Sequence, residues 1–597
     1  MVFMKNFGKN IKNVVYLIKP YWKYGKIYII ISLIISAFII PIGAFFGVLY
    51  TQTVIDAVVD GATFKEVLII IFFFVIISVA SFVIQSIFNT YGEPVLVKIY
   101  QKMNKDIYDR AFKTDYKYYD DSEFYNNYTW AINEFTNKSE EAKNLLLNVC
   151  SSISIIVSML ALILSLGPWI VVITLVQIIL LTIIQMQRNK YIINRQDKIV
   201  PLDRKLNYVH RIFYQREYAA DLKSTKLNNF ISDLYEKSGN GKVSVIKEYC
   251  KPFMISLSMQ NFLAIFYNAA IMAYISYSII VSKTIDGVGK FAGLIAANIQ
   301  LNNSLSGFFG FVSQANNISL YAEKIKPFFE AQSPIEMESE SEGKELPEGL
   351  LDICFKNVSF SYANSNFALK NLDFSIAPGE KIAIVGENGA GKTTLVKLLL
   401  RLYDVNEGEI LINGAPINQY DLRSLRGKIG VAFQNPNIYA ISLAKNLQLY
   451  EDADEGKLAD ASEKLNIGGI LEKSNADMSS ELTKEFSNDG IMLSAGEIQK
   501  IAIGRILVKY FGLLLLDEPS SALDPIAEYE LMKLIYDRSN ASTSIIIAHR
   551  FSTVRDADRI YVMDGGAIIE AGNHDELMKL NGKYYEMFSK QSENYVK

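Results

Sequence analysis

Five stretches of the chain carry no charged residue: 27–55, 67–92, 144–187, 252–282 and 291–322. A helix crosses the hydrocarbon core of a bilayer with about 20 apolar residues, so each stretch is long enough to span one. The third has twice the necessary length and is interrupted by Gly167-Pro168, a pair that marks a turn, and it therefore predicts two helices joined by a tight hairpin. Six transmembrane helices are expected, because a soluble core helix seldom runs uncharged for so long. The two large connections between them, 93–143 and 188–251, read helically, so the membrane helices are expected to continue beyond the bilayer. Lys and Arg crowd these two connections and the N-terminal segment, whereas 56–66 carries Asp56, Asp60 and Glu66 against one lysine. That asymmetry places both large connections, both termini and everything after the sixth helix in the cytoplasm.

Residues 1–26 hold six lysines with Tyr and Trp interleaved, the composition of an amphipathic segment on the cytoplasmic membrane face. The membrane domain is assigned to 27–325. An acidic, Pro/Gly-punctuated linker occupies 326–349, and the pattern then changes at 350–597 to that of a soluble α/β domain. Inside the six spans no Asp, Glu, Lys, Arg or His occurs, which argues against an ion-coupled carrier. Amides do occur: Gln260, Asn261 and Asn268 in the fifth span, and Asn298, Gln300, Asn302 and Asn303 in the sixth. They serve either to line a cavity or to bond helix to helix, and the second use is favoured for most of them. At the turn of the first large connection, Tyr118-Tyr119-Asp120-Asp121 and Phe124-Tyr125-Asn126-Asn127 fit either a docking surface or a solvated turn, as does 199–216 in the second.

Composition adds three exclusions. At 597 residues, 50% hydrophobic and 21% charged, the chain is too long for one core. A formal net charge of −3 gives no footprint for nucleic acid. Cys150, Cys250 and Cys354 lie far apart without ligand spacing, so reduced, buried thiols are expected in place of a disulfide framework or a zinc site. No cleavable signal peptide is evident, and no peptidase domain is expected ahead of the first span.

The chemistry of the soluble domain is concentrated in Gly386-Glu387-Asn388-Gly389-Ala390-Gly391-Lys392-Thr393-Thr394. The apolar run 381–385 leads in and Leu395-Val396-Lys397-Leu398 leads out, giving strand, glycine-rich turn and helix with G-x-x-x-x-G-K-T spacing. Backbone amides of such a turn, together with the positive helix N-terminus, cradle phosphate oxygens. Lys392 reaches the β- and γ-phosphates, and Thr393 offers a hydroxyl to Mg²⁺. A nucleoside triphosphate is the ligand this stretch predicts. The leucine run 513–516 ends in Asp517 and Glu518 about 125 residues after Lys392. Asp517 there is a Mg²⁺ ligand, and Glu518 polarises the attacking water.

These and further motifs resemble those of the ATP-binding-cassette (ABC) proteins. Leu493-Ser494-Ala495-Gly496-Glu497 is similar to the LSGGQ signature, and Asp517-Glu518-Pro519-Ser520-Ser521-Ala522-Leu523-Asp524 to the Walker B and D-loop run. Gln434 matches the Q-loop glutamine, His549 the switch histidine, and Tyr362 the aromatic that stacks on adenine. Six spans ahead of one cassette resemble a half-transporter of the exporter type (type IV fold). The resemblance implies that Ser494, Gly496, Glu497 and Asp524 face an ATP held by a second chain, so that two ATPs are sandwiched in a dimer. It implies that His549 holds the γ-phosphate, Glu518 orients water, and Gln434 links Mg²⁺ to the membrane domain. His210 and His574 receive structural roles. Two departures stand out: the signature reads LSAGE, in which Ala495 adds a methyl where backbone approaches phosphate and Glu497 adds a negative charge, and Asn488-Asp489-Gly490 stands where exporters of this kind often carry Glu-Arg-Gly. A homodimer is favoured over a heterodimer with a related half-transporter. The expected function is ATP-driven export of a hydrophobic or amphipathic cargo (peptide, drug or lipid) across a plasma membrane. An importer on the same fold and an ATP-gated regulator or channel are the other classes considered.

Overall fold

The computed structural model describes residues 2–164, 168–280, 288–338, 343–362, 367–538, 542–548 and 550–593. The chain forms two compact units: Met1–Phe112 with Ser122–Ala331, and Lys113–Asp121 with Gln332–Lys597.

The first unit is helical. An N-terminal helix α1 (Val2–Tyr24) precedes six long ones: α2 (Lys26–Val59), α3 (Phe64–Phe112), α4 (Ser122–Leu164), α5 (Pro168–Tyr214), α6 (Leu227–Ile280) and α7 (Val288–Glu330). At 1.5 Å per residue the 49 residues of α3 reach roughly twice the thickness of a bilayer core, so the helices continue past the membrane as their sequence implied. The connection carrying Gly167 lies outside the described residues; α4 ends at Leu164 and α5 starts at Pro168. Within α2, Ile35–Ile39 is a π-helical turn. Pro41 lies just beyond it and has no N–H to give, so the wider turn absorbs a bond that a regular helix would lose. Among the described residues, five of the six helices are long and apolar enough to cross a membrane. The sixth, α7, falls short because the four amides between Asn298 and Asn303 lower its hydropathy.

Helix α1 buries Val14, Leu17 and Tyr21, one stripe at helical spacing, and Asn13 Nδ2 donates to Ser319 Oγ of α7 at 2.7 Å. Ile11, Val15 and Trp22 stay exposed on its other side. The amphipathic N-terminal segment is therefore two-faced, with one apolar stripe seated on protein. The thiols depart from expectation: all three are free, but Cys250 is exposed and Cys150 and Cys354 are half-buried.

The amides of the spans bond helix to helix. Gln177 Nε2 of α5 donates to Asn302 Oδ1 of α7 at 2.8 Å, Asn302 Nδ2 to Asn298 Oδ1 at 3.1 Å, and Asn298 Nδ2 to Asn268 Oδ1 of α6 at 2.5 Å. A second cluster lies further along the same helices. Gln260 Oε1 of α6 accepts from Gln185 at 3.1 Å and from Arg188 at 2.8 Å, and Gln260 Nε2 donates to Ser306 Oγ at 3.1 Å. Asn298 is only 2% exposed, so its amide has protein partners or none.

The second unit is an α/β domain with two sheets. An antiparallel sheet has the order β2-β1-β4-β5, from β1 (Ile353–Ser361), β2 (Phe367–Ile376), β4 (Glu407–Ile412) and β5 (Ala415–Pro416). A six-stranded sheet has the order β10-β9-β3-β8-β7-β6, from β3 (Lys381–Gly386), β6 (Ile429–Ala432), β7 (Leu513–Asp517), β8 (Thr543–Ile547), β9 (Arg559–Asp564) and β10 (Ala567–Gly572). Strands β9, β3, β8, β7 and β6 pair in parallel, and only β10 runs against its neighbour. Every residue of β7 and β8 is buried, as expected where both faces of a parallel sheet are covered. One face packs on α8 (Lys392–Leu399) and the antiparallel sheet through Phe355, Ile384, Leu395 and Leu399. The other packs on α9 (Ala495–Leu507) and α10 (Pro525–Arg538) through Ile501, Leu514, Met532 and Ile546. The C-terminal helix α11 (Lys583–Glu593) seats Tyr584 in that second core.

The amide chain gives a direct test. Asn298→Ala removes the central link and leaves the half-buried amides of Asn268 and Asn302 each short of a partner; a loss of about 1 kcal/mol is expected, read as a lowered thermal midpoint of the purified protein in nanodiscs. An unchanged midpoint would show that the chain contributes nothing to the bundle.

Candidate active site

Strand β3 ends at Gly386 and α8 begins at Lys392, and the turn between them closes on itself through the Ala390 N–H to Glu387 carbonyl bond of 3.2 Å. Two glycines are required by geometry. Gly386 has φ +157°, and a Cβ there would stand 2.2 Å from the Met563 carbonyl oxygen. Gly391 caps α8 with φ +101°, and a Cβ would stand 2.6 Å from Leu369 and 2.7 Å from the Ala368 oxygen. Only glycine fits either position. Lys392 is buried and turns its ammonium back onto the loop, donating to the Gly386 oxygen at 2.8 Å and the Glu387 oxygen at 2.9 Å. Burial holds its pKa below the usual lysine range, and the facing Glu518 and Asp517 carboxylates oppose that shift. Neutral carbonyls are weaker acceptors than a phosphate oxygen, so an arriving phosphate would outcompete them for the ammonium.

Three strand ends meet beside the loop. Thr393 Oγ1 donates to Asp517 Oδ2 at 3.1 Å, and Asp517 is 2% exposed at the end of β7. Glu518 takes φ +50°, a left-handed conformation that costs a side-chain-bearing residue about 1–2 kcal/mol. Its N–H is fixed on the Ile547 oxygen of β8 at 2.9 Å, and its carboxylate accepts from Gln434 Nε2 at 2.7 Å. Hydroxyl, carboxylate and amide oxygens are hard donors, the set that suits Mg²⁺, and Thr393, Asp517 and Gln434 supply one of each. His549 lies outside the described residues; its neighbours Ala548 and Arg550 continue from the end of β8.

Tyr362 stands beside the same loop. Its hydroxyl shares a 3.1 Å hydrogen bond with Thr394 Oγ1, and its ring meets Phe360 and Tyr403 edge-on. Sequence reasoning missed what surrounds it. The Lys397 ammonium of α8 lies 5.2 Å from the Tyr362 ring centroid, 5.3 Å from that of Tyr116 and 5.8 Å from that of Tyr403. Tyr116 belongs to Lys113–Asp121, the turn between α3 and α4, and Asp120 of that turn accepts from the Tyr403 hydroxyl. Of the two alternatives for 118–121, docking is the one observed. The spacing of Lys397 and Tyr403 on and after α8 was visible in the sequence, but nothing in it pointed from Tyr403 to a residue 283 positions away.

The signature run forms the start of α9. Ser494 caps it, and the Ser494 N–H and hydroxyl both donate to Glu497 Oε2 at 2.8 Å, a capping box closed by a carboxylate. Gly496 approaches the Ala522 oxygen closely enough that a Cβ would lie 3.3 Å from it. Gln499, 5% exposed, accepts from the Ala522 N–H at 3.0 Å and donates to Ser521 Oγ at 2.7 Å. Asp524 caps α10 by accepting from the Ile526 and Ala527 amides, each at 3.0 Å, and those amides hold its carboxyl below the usual range. Glu387 of the loop is paired with Lys583 of α11 at 2.7 Å, which lowers the Glu387 pKa likewise. Of the two histidines expected to be structural, His574 has its Nδ1 2.9 Å from the Tyr584 hydroxyl, while His210 is exposed and lies edge-on to Tyr214.

The sequence profile of the family described as "ABC transporter" matches residues 369–521, which include the loop, Gln434, Ser494, Asp517 and Glu518. The chain is 30% identical over 546 residues to the subtilin transport ATP-binding protein SpaT of Bacillus subtilis, covering 89% of this chain and 86% of that one. It is 38% identical over 242 residues to the ATP-dependent lipid A-core flippase of Methylobacillus flagellatus, a match that spans only 41% of the flippase. In fold it is similar to a bacterial Atm1-family ABC exporter with ATP bound, with a TM-score of 0.76 and 23% identity over 94% of this chain and 98% of that one.

Replacing the loop lysine tests the site. Lys392→Met is expected to weaken ATP binding at least tenfold, the loss of one charge-assisted hydrogen bond or more, measured by displacement of a fluorescent ATP analogue. Wild-type affinity in this variant would remove Lys392 from the site.

Proposed function

Because the chain belongs to the ATP-binding-cassette transporters and is built as an exporter, with membrane helices ahead of one nucleotide-binding domain, we propose that two such chains form the working pump. The chain is an ATP-hydrolysing exporter; its assembly, its cargo and the roles of its site residues are our reading. The loop from Gly386 to Thr394 cradles the phosphates, Tyr362 receives the adenine, and Thr393, Asp517 and Gln434 hold Mg²⁺ near the γ-phosphate. Glu518 accepts the proton of the attacking water, and His549 stabilises the γ-phosphate. Ser494, Gly496 and Glu497, with Asp524, complete the site of the opposite chain. The observation that carries this reading is the Thr393–Asp517–Glu518–Gln434 cluster, where oxygen donors for a cation and a carboxylate for water stand side by side.

A homodimer is the simplest assembly, in the plasma membrane with both termini and both nucleotide-binding domains cytoplasmic, as the lysine asymmetry indicates. The cargo is hydrophobic or amphipathic, a peptide, drug or lipid. Subtilin is the first to try, because the relative named for its transport matches through the membrane helices as well as the cassette. Export predicts ATP-dependent accumulation of cargo inside inverted vesicles; depletion from them would mean import, and unsaturable ATP-dependent current a channel.

The capping box supports a specific expectation about rate. A carboxylate on Ser494 sets a negative charge at a helix N-terminus that, in this reading, meets the partner's γ-phosphate. Glu497→Gln keeps an oxygen for the cap and removes the charge, so ATPase kcat is expected to rise about threefold, ~0.6 kcal/mol. A fall would assign the carboxylate a positive role.

ATPase activity of the chain purified alone in nanodiscs, beside Glu518→Gln and Ser494→Ala, tests the assembly. Both substitutions are expected to lower kcat by roughly 100-fold or more while ATP still binds. A chain that is silent alone but active with a related half-transporter would replace the homodimer by a heterodimer.

A further inference from the structure

Glu528 lies on α10, ten residues beyond Glu518, and is 5% exposed. One carboxylate oxygen accepts from Ser520 Oγ at 2.8 Å, and the other is paired with Arg550 Nη1. Arg550 also donates to the Leu523 carbonyl at 3.4 Å. Both partners flank the reaction centre: Ser520 is two residues past Glu518, and Arg550 directly follows His549. Glu518 itself is held at φ +50°, and a residue stays in that region only where its surroundings fix it. Two such fixings are backbone bonds, Glu518 N–H to Ile547 and Ser521 N–H to Glu518, at 2.9 and 3.3 Å. The turn they begin is anchored at Ser520 by Glu528. A buried ion pair adds little stability over an apolar pair of the same volume, so stability alone gives no reason for a carboxylate here. Geometry does, because this one carboxylate ties Ser520, on the turn that carries Glu518, to the side chain of Arg550, the residue that follows His549 in sequence.

We propose that Glu528 is a positioning residue for ATP hydrolysis, which sets the water-polarising carboxylate of Glu518 through Ser520 and the switch segment through Arg550. The inference rests on the reading of Glu518 given above. It leaves the phosphate loop and Tyr362 untouched, and so separates binding from turnover.

The test uses the full chain in its ATP-hydrolysing assembly in nanodiscs, with kcat, KM for ATP, ATP binding and thermal midpoint measured for Glu518→Gln, Glu528→Gln, Arg550→Met, Arg550→Lys and the Glu528→Gln/Arg550→Met pair. Expected are a kcat at least tenfold lower in Glu528→Gln and in Arg550→Met, with KM and binding within twofold of wild type. The double variant is expected to be no slower than either single one, and Arg550→Lys to recover part of the rate by keeping the ion pair. A wild-type kcat in Glu528→Gln, additive losses in the double variant, or a kcat that falls only together with ATP binding and the midpoint would each overturn the proposal. If Glu528→Gln does not fold, the contrast between Arg550→Met and Arg550→Lys decides it in the same way. Glu518→Gln separates the two levels: if it is inactive while Glu528→Gln is normal, only the inference fails; if it hydrolyses ATP normally, the reading of Glu518 fails first and the inference with it.

Discussion

Strands β3, β8 and β7 pair in parallel with Ile384 opposite Ile547 and Ile547 opposite Asp517, so all three reach the same edge of the sheet together. Each strand delivers reactive groups at its end: the phosphate loop after β3, Glu518 after β7, and Ala548, His549 and Arg550 after β8. Ligands of open α/β sheets bind at the carboxyl ends of the strands because a rigid scaffold holds the loops there side by side. Here that scaffold is buried on both faces, and the 3.1 Å contact from Thr393 to Asp517 is set by strand register. A one-residue slip of β7 against β8 would reverse every leucine of β7 and take Asp517 out of reach of Thr393.

The loop after Glu518 is held on two sides, and the two sides have different chemistry. Gln499 of α9 binds it with a neutral amide at Ser521 and Ala522, while Glu528 and Arg550 bind it with charge at Ser520 and Leu523. A backbone in the left-handed region at Glu518 needs such over-determination, since each unfixed bond there would let the chain relax toward ordinary helix or strand angles. The same economy appears on the far side of the phosphate loop. Lys397 is enclosed by three tyrosines, one of them Tyr362 and one from the turn between α3 and α4, so that one ammonium holds aromatic groups from three parts of the sequence.

Much of this was legible in the residues, and the reason is local. The phosphate loop, the acid at the end of a leucine strand and the signature Ser-x-Gly are short-range patterns whose geometry comes from a few consecutive residues, as the positive φ of Gly389 and Gly391 and the capping box at Ser494 illustrate. Long uncharged runs likewise give membrane helices by length alone, although α7 shows that a span dotted with amides falls short on hydropathy. Illegible were the contacts made across distance. Nothing near Glu528 in sequence names Arg550 as its partner, nor does anything near Tyr403 name Asp120, because such pairs are fixed only by topology. Burial of the cysteines was misjudged for a related reason: a thiol at position 250 on a long helix is inside or outside according to a helix face that composition does not report.

The amides of the membrane unit show how far charge-free spans can still be polar. An amide left unpaired in hydrocarbon costs several kcal/mol, yet Gln177, Asn268, Asn298 and Asn302 sit in spans without a counter-charge. Their solution is mutual: each amide offers both donor and acceptor, so a chain of them satisfies its interior members and needs an external partner only at its ends. Gln177 Oε1 is such an end, buried and without a partner among the described residues. Because α5, α6 and α7 each contribute to the chain, sliding one helix against the others would break a bond with no water to replace it. The three helices are therefore tied as a group, and α2 joins them where the Gly289 N–H of α7 donates to Asp56 Oδ1 at 2.7 Å, while α3 is tied to α4 by Thr136 Oγ1 donating to Asn104 Oδ1 at 2.8 Å. Within this unit, polar bonding sets which helices must move together.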